Sequence, residues 1–315
     1  MNALFQSTIL ESTGAVSFNI VEHIQSLWSG YGSINRVQLQ GSQIETVIIK
    51  HVKLPTHTNH PRGWNTDIGH QRKVKSYQVE MNWYKLYSNR SKARLANCLA
   101  IEKQDDEVLI VLEDLDAAGF PLRNRCNSWK DIESCISWLA KFHASYLGLE
   151  AKGLWPIGSY WHLDTRPNEL EVLDDLALKE AAPLIDAKLN GCQFKSFVHG
   201  DAKLANFCFS PEGHVAGVDF QYVGAGCGMK DLAYFIGSCL NESDCEKLES
   251  QILNSYFEHF HNSQGNMNES LENEWRSLYR VAWADFHRFI KGWSPGHWKI
   301  NSYSERVTKE VISQL

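Results

Sequence analysis

Apolar positions repeat every second residue in parts of the first third of the chain, and at helical spacing through most of the rest. Ile34 to Leu39 alternates apolar with polar residues, and Thr46 to Val52 is a β-branched run carrying Lys50 near its end; both predict strands. A loop rich in His, Asn, Gly and Pro is expected over 55–70. It leads into a helix with Val74, Tyr77, Met81, Tyr84 and Tyr87 at spacings of three and four. Val108 to Leu112 reads as a short buried strand, which Glu113-Asp114-Leu115 leaves. The first third therefore reads as strands with one helix.

Beyond it Ser128 is placed to cap a helix whose apolar face is Ile132, Cys135, Ile136, Leu139, His143 and Tyr146. A Trp/Pro/Gly-rich loop (153–168) precedes a helix over roughly 169–189. Short strands are expected at 196–198, 206–209 and 214–220, the last two flanking a Ser-Pro-Glu-Gly turn. Helices are expected at about 230–240, 243–260, 268–291 and 303–314. The outcome is an α+β chain with a small β-rich N-terminal lobe (1–113) and a larger, mostly helical C-terminal lobe (114–315), with a nucleotide expected between them.

Composition narrows the partners. The chain has 315 residues, 43% hydrophobic and 22% charged, which is ordinary for a soluble enzyme. A net charge of −6 argues against a nucleic-acid partner. Eight scattered cysteines form no Cys-x-x-Cys pair, so free buried thiols in a reducing compartment are expected. The start lacks a signal-peptide pattern and no run approaches a membrane span, so the expectation is a cytoplasmic protein, monomer or homodimer, without a membrane partner.

The densest chemistry lies at 197–221. Phe-Val-His-Gly-Asp-Ala-Lys-Leu-Ala-Asn, then Val-Asp-Phe-Gln, sets Asn206 five and Asp219 eighteen residues after Asp201. Two carboxylates and an amide so spaced can hold magnesium beside a nucleotide and orient a hydroxyl for attack. No Gly-x4-Gly-Lys-Ser/Thr occurs, which excludes a Walker-type site.

His199-Gly200-Asp201-x4-Asn206 with Val218-Asp219-Phe220 resembles the aminoglycoside phosphotransferase and choline kinase superfamily, of protein-kinase-like fold. Glu113-Asp114-Leu115 with Ala-Ala-Gly-Phe, and Trp-Pro-Ile-Gly-Ser-Tyr-Trp, are similar to its ecdysteroid-kinase-like branch. The resemblance implies ATP and magnesium as cofactors, Asp201 as catalytic base, and Asn206 and Asp219 as metal ligands. Lys203 would meet the γ-phosphate. Lys50 would reach the α/β-phosphates with Glu80 as its ion-pair partner; Lys53 competes for that role. Gly30, Gly32 and Ser33 suit a phosphate-covering loop, although a plain hairpin turn explains them as well. Glu113 to Leu115 would be a hinge meeting adenine, or a simple connection. Asp231 would brace the catalytic loop, and His143 and His199 read as structural.

Gly200 stands where regulated protein kinases carry arginine, and Asp231 follows Asp219 by only twelve positions with no Ala-Pro-Glu between. A small-molecule alcohol is therefore the expected acceptor, with a protein kinase or a nucleotide-binding pseudokinase scaffold as alternatives. Trp275, Trp283, Asp285, Trp293 and Trp298 suit a cage for a quaternary ammonium or a hydrophobic core. Lys203 and Gln221 depart from the aminoglycoside-kinase pattern, so that substrate class is not inherited.

Overall fold

In the computed structural model, which describes residues 1–54, 67–126 and 128–315, the chain opens on a helix, α1 (Ala3–Thr13). Its pattern gives no early warning of it. Asn2 caps it by accepting the Phe5 N–H at 2.8 Å, and Gly14 ends it in the left-handed conformation. The first sheet is built from β1 (Ser17–Ser26), β2 (Gly32–Gln40) and β3 (Thr46–Lys53). Beyond helix α2 (Asp67–Leu86) and the short β4 (Arg94–Leu95), it is completed by β5 (Cys98–Gln104) and β6 (Glu107–Glu113). All pairings are antiparallel, in the order β1–β2–β3–β6–β5.

Strand alternation sorts this sheet into two faces. Val47 and Ile49 of β3, with Leu109 and Val111 of β6, pack beneath Phe5 and Ile9 of α1. Val52, Val108 and Ile110 face the opposite side, where Tyr77 and Tyr84 of α2 lie. Lys50 shares that second face by parity, and its ammonium meets Glu80 of α2. The expected loop at 55–70 is corrected at its end, because 67–70 already belong to α2; residues 55–66 lie outside the described residues.

After β7 (Leu122–Arg123) the chain turns helical: α3 (Trp129–Tyr146), the short α4 (Pro167–Glu171) and α5 (Leu176–Asn190). Ser128 caps α3 as expected, accepting the Asp131 N–H. The single helix expected at 169–189 is two, because the Asp175 carboxylate starts α5 afresh by accepting the Leu178 N–H at 3.1 Å. Four short strands follow: β8 (Ser196–Val198), β9 (Phe207–Phe209), β10 (Val215–Gly217) and β11 (Gly224–Gly226). They form the small sheets β4–β10–β9–β7 and β11–β8. Helices α6 (Met229–Cys239), α7 (Glu242–Gln264), α8 (Glu269–Trp293) and α9 (Ser302–Ile312) complete the chain. The architecture is α+β, a sheet-rich N-terminal region followed by a larger helical one. Among the described residues, no helix is long and apolar enough to cross a membrane, and the cysteines are free.

Candidate active site

A cleft of about 730 Å³ lies between the sheet and the helical region. Its helical-side floor is the loop that leaves β8. Gly200 turns that loop at φ 77°, and a Cβ there would sit 2.2 Å from the Tyr222 carbonyl oxygen, so the position requires glycine. Asp231, in the first turn of α6 and fully buried, accepts the His199 N–H at 2.5 Å and the Gly200 N–H at 2.9 Å. His143 Nε2 lies 3.0 Å from the same carboxylate, with Tyr256 on its other nitrogen. These donors outweigh burial and hold the Asp231 carboxyl below its ordinary range. His199 reaches the Val218 carbonyl at 2.9 Å and accepts the Asp201 N–H, tying the two loop segments together. Both histidines are structural.

Asp201 emerges from this brace with each carboxylate oxygen engaged. Lys203 Nζ donates to Oδ2 at 3.0 Å, Asn206 Nδ2 donates to it at 3.1 Å, and the Tyr234 hydroxyl donates to Oδ1 at 3.3 Å. Asn206 Nδ2 also holds the Asp201 carbonyl at 2.7 Å. Its amide oxygen has no hydrogen-bond partner among the described residues, leaving an oxygen donor beside Asp201.

Asp219 follows β10, and its φ of 70° is what ends that strand earlier than the sequence pattern predicts. The next residue fixes it in place: Phe220 is fully buried, stacked on Trp83 of α2 at 4.8 Å and beside the His199 ring at 4.8 Å. Burial would raise the Asp219 carboxyl, but Lys50, Lys203 and Lys73 hold it down at about 2. Lys50 Nζ sits 2.6 Å and 2.9 Å from the Glu80 oxygens and 3.5 Å from Asp219. Burial disfavours the Lys50 ammonium, yet these two anions more than offset it and raise its pKa.

Lys50, Glu80, Asp201, Lys203, Asn206 and Asp219 thus line one cleft, together with Glu113 and Leu115 at its far end. Glu113 faces outward to Arg94 at 2.6 Å, while Leu115 is buried. Lys53 lies apart, 68% exposed and paired with Glu107. Gly30, Gly32 and Ser33 are not among the lining residues; Leu27, Trp28 and Tyr31 line the cleft at that turn. Gly32 is instead demanded by sheet pairing: at φ 130°, a Cβ would fall 2.0 Å from the His51 carbonyl oxygen. The candidate cage tryptophans divide, with Trp275 and Trp283 in the core and Trp293 lining the cleft. Asp285 is taken by Trp161 Nε1 and Arg288.

Several further groups line the cleft. Gln221 donates to Asp219 at 2.8 Å and accepts from Lys73 at 2.7 Å, bridging α2 to the loop. Tyr160, Tyr234, Arg72, Arg166 and Lys299 come from distant segments and meet only in the folded chain.

The model of the ecdysteroid kinase-like family matches residues 34–152. A second family model, described as "uncharacterized oxidoreductase dhs-27", matches residues 174–283. No curated protein matches the chain. Among solved structures, macrolide 2'-phosphotransferase MphH from Brachybacterium faecium is 13% identical with a TM-score of 0.55, covering 98% of this chain and 97% of that one. The fold is that of the aminoglycoside phosphotransferase and choline kinase superfamily. Choline kinase LicA from Streptococcus pneumoniae is similar at 13% identity and TM-score 0.52, covering 99% of this chain and 98% of its own. A streptomycin–ATP–APH(2'')-IIa ternary complex is similar at 11% identity and TM-score 0.52, with 98% of each chain covered.

Proposed function

We propose that the protein is an ATP- and magnesium-dependent phosphotransferase that moves the γ-phosphoryl group of ATP to a hydroxyl of a small molecule. The observation that carries this reading is the convergence of Lys50, Asp201, Lys203, Asn206 and Asp219 on one cleft. The boundary between a nucleotide-binding and a catalytic lobe is proposed at residues 113/114, where β6 ends.

The donor set suits magnesium. Among the described residues no cluster of three or more His, Cys, Asp or Glu is placed to hold a metal. An ion that keeps water and phosphate in most of its coordination shell needs no such cluster. Asp219, kept ionised, and the unpartnered amide oxygen of Asn206 would hold the ion, which supplies charge neutralisation at the β- and γ-phosphates. Lys50, positioned by Glu80, receives the α/β-phosphates, and the adenine lies against Leu115 and neighbouring apolar side chains. Lys203 turns from Asp201 to the γ-phosphate.

Asp201 then accepts a hydrogen bond from the acceptor hydroxyl and aligns its oxygen with the γ-phosphorus. The new O–P bond forms as the bond to the β-phosphate oxygen breaks; the hydroxyl proton passes to Asp201 and ADP leaves. Positioning in place of strong basicity accounts for a carboxylate in this role. A protein acceptor is disfavoured by the short passage from Asp219 to Asp231, which β11 and the start of α6 occupy. A screen of small alcohols with magnesium and ATP, read by acceptor mass, tests the reading. It predicts one phosphoryl group added per acceptor; labelled peptide with no labelled alcohol would refute it.

A further inference from the structure

The cleft's charges are unevenly matched. The two carboxylates at its acceptor end are already engaged, Asp201 by Lys203 at 3.0 Å and Glu169 by Arg166 at 3.0 Å. Those toward the nucleotide end are likewise met by Lys50, Arg36 and Arg94. Three lining cations have no carboxylate within ion-pair distance among the described residues: Arg72, whose guanidinium donates to the Thr165 carbonyl at 2.6 Å, Lys73, which donates to the Gln221 amide oxygen at 2.7 Å, and Lys299.

Lys299 lies in the segment between α8 and α9. Its ammonium sits 4.5 Å from the Tyr234 ring centroid and 5.3 Å from that of Phe286. Burial pushes its pKa down to about 8 against the opposing pull of the Asp201 carboxylate, and a desolvated charge without an ion-pair partner is costly. These rings adjoin the reacting end: the Tyr160 hydroxyl donates to Tyr234 at 3.2 Å, and Tyr234 donates to Asp201 at 3.3 Å.

We propose that the acceptor alcohol carries an acidic group, a carboxylate or its equivalent. Lys299 receives that group while the apolar body lies on Tyr160, Tyr234 and Phe286 and the hydroxyl meets Asp201. Cationic alcohols of the choline or aminoglycoside kind are disfavoured, since Glu169 is paired with Arg166 and Asp201 is occupied by the acceptor hydroxyl. The inference rests on the phosphotransferase reading for the identity of the acceptor pocket.

The test is a calorimetric titration of the full-length protein with three matched alcohols: a hydroxymethyl-naphthoate, its methyl ester, and the corresponding aminomethyl-naphthalenemethanol. The acid should bind at least about tenfold more tightly than the ester, the worth of one hydrogen bond to a charged group, and the amine should bind weakest. Lys299→Met should abolish the acid's preference over the ester, and Lys299→Arg should retain it. An acid that binds no better than its ester, no measurable binding of the acid, or a preference that survives Lys299→Met overturns the proposal. Binding needs no transfer, so the two readings fail separately. Acid preference without ATP consumption leaves this inference standing and removes the phosphotransferase reading; transfer to the amine in preference to the acid does the reverse.

Discussion

Replacing Glu80 by Gln keeps the side chain's shape and deletes the charge that Lys50 faces at 2.6 Å and 2.9 Å. Both residues are at most 3% exposed, so little water can take the carboxylate's place. Removing one partner of a buried pair costs about 3–5 kcal/mol. Two features lower that here: glutamine keeps an oxygen for the ammonium, and Asp219 remains 3.5 Å away. A loss of about 2–3 kcal/mol is expected, which for a chain of this size lowers the melting temperature by about 5 °C. Lys50→Met combined with Glu80→Leu replaces both charges with apolar groups and should recover at least half of that loss. ATP affinity behaves differently. Lys50→Met should weaken ATP by about tenfold to a hundredfold, the worth of a charge-assisted contact, and the double variant should stay as weak. Thermal unfolding followed by fluorescence, with ATP titrations on the same samples, separates the two effects. Wild-type melting in Glu80→Gln, or wild-type ATP affinity in the double variant, refutes the assignment of this pair to the nucleotide.

Gly200→Ala forces a Cβ to 2.2 Å from the Tyr222 carbonyl at a left-handed φ; urea unfolding should show a loss of about 2 kcal/mol or more, and unchanged stability would contradict the loop geometry. Asp231→Asn removes a carboxylate whose pKa is depressed in the fold, so its stability contribution is fully present above about pH 4 and is lost as pH falls through the native pKa. The stability gap between wild type and Asp231→Asn should be flat at neutral pH and shrink on acidification; a gap that widens contradicts the sign. Thiol titration of the native protein with Ellman's reagent should reach at most the half-buried Cys98, Cys126 and Cys239, the other five reacting only after unfolding. Rapid reaction of all eight would show the core to be wrongly drawn.

Legibility in the sequence followed how local each determinant is. β3, β8 and the helices from α6 to α9 were readable because their periodicity and caps lie within their own segments. The 197–221 window was readable because its chemistry is compressed into a few turns of chain. α1 escaped because its buried side chains, Phe5, Ile9 and Thr13, are few and set among polar residues. β1 is an edge strand, exposed along nearly its whole length, so no alternation marks it. Gly30 and Gly32 show the converse failure: a spacing that suggested phosphate reflects, at Gly32, close approach to the His51 carbonyl. Lys299 and Tyr234 had no readable signal, since contacts between segments far apart in sequence, Tyr160 with Tyr234 and Tyr234 with Lys299, bring them together.

The most direct test of the account compares wild type with Asp201→Asn in magnesium- and ATP-dependent transfer to an alcohol, with ATP binding measured alongside. The account predicts a fall of about a hundredfold to ten-thousandfold in transfer rate with ATP affinity within a few-fold of wild type. Full transfer activity in Asp201→Asn would contradict it.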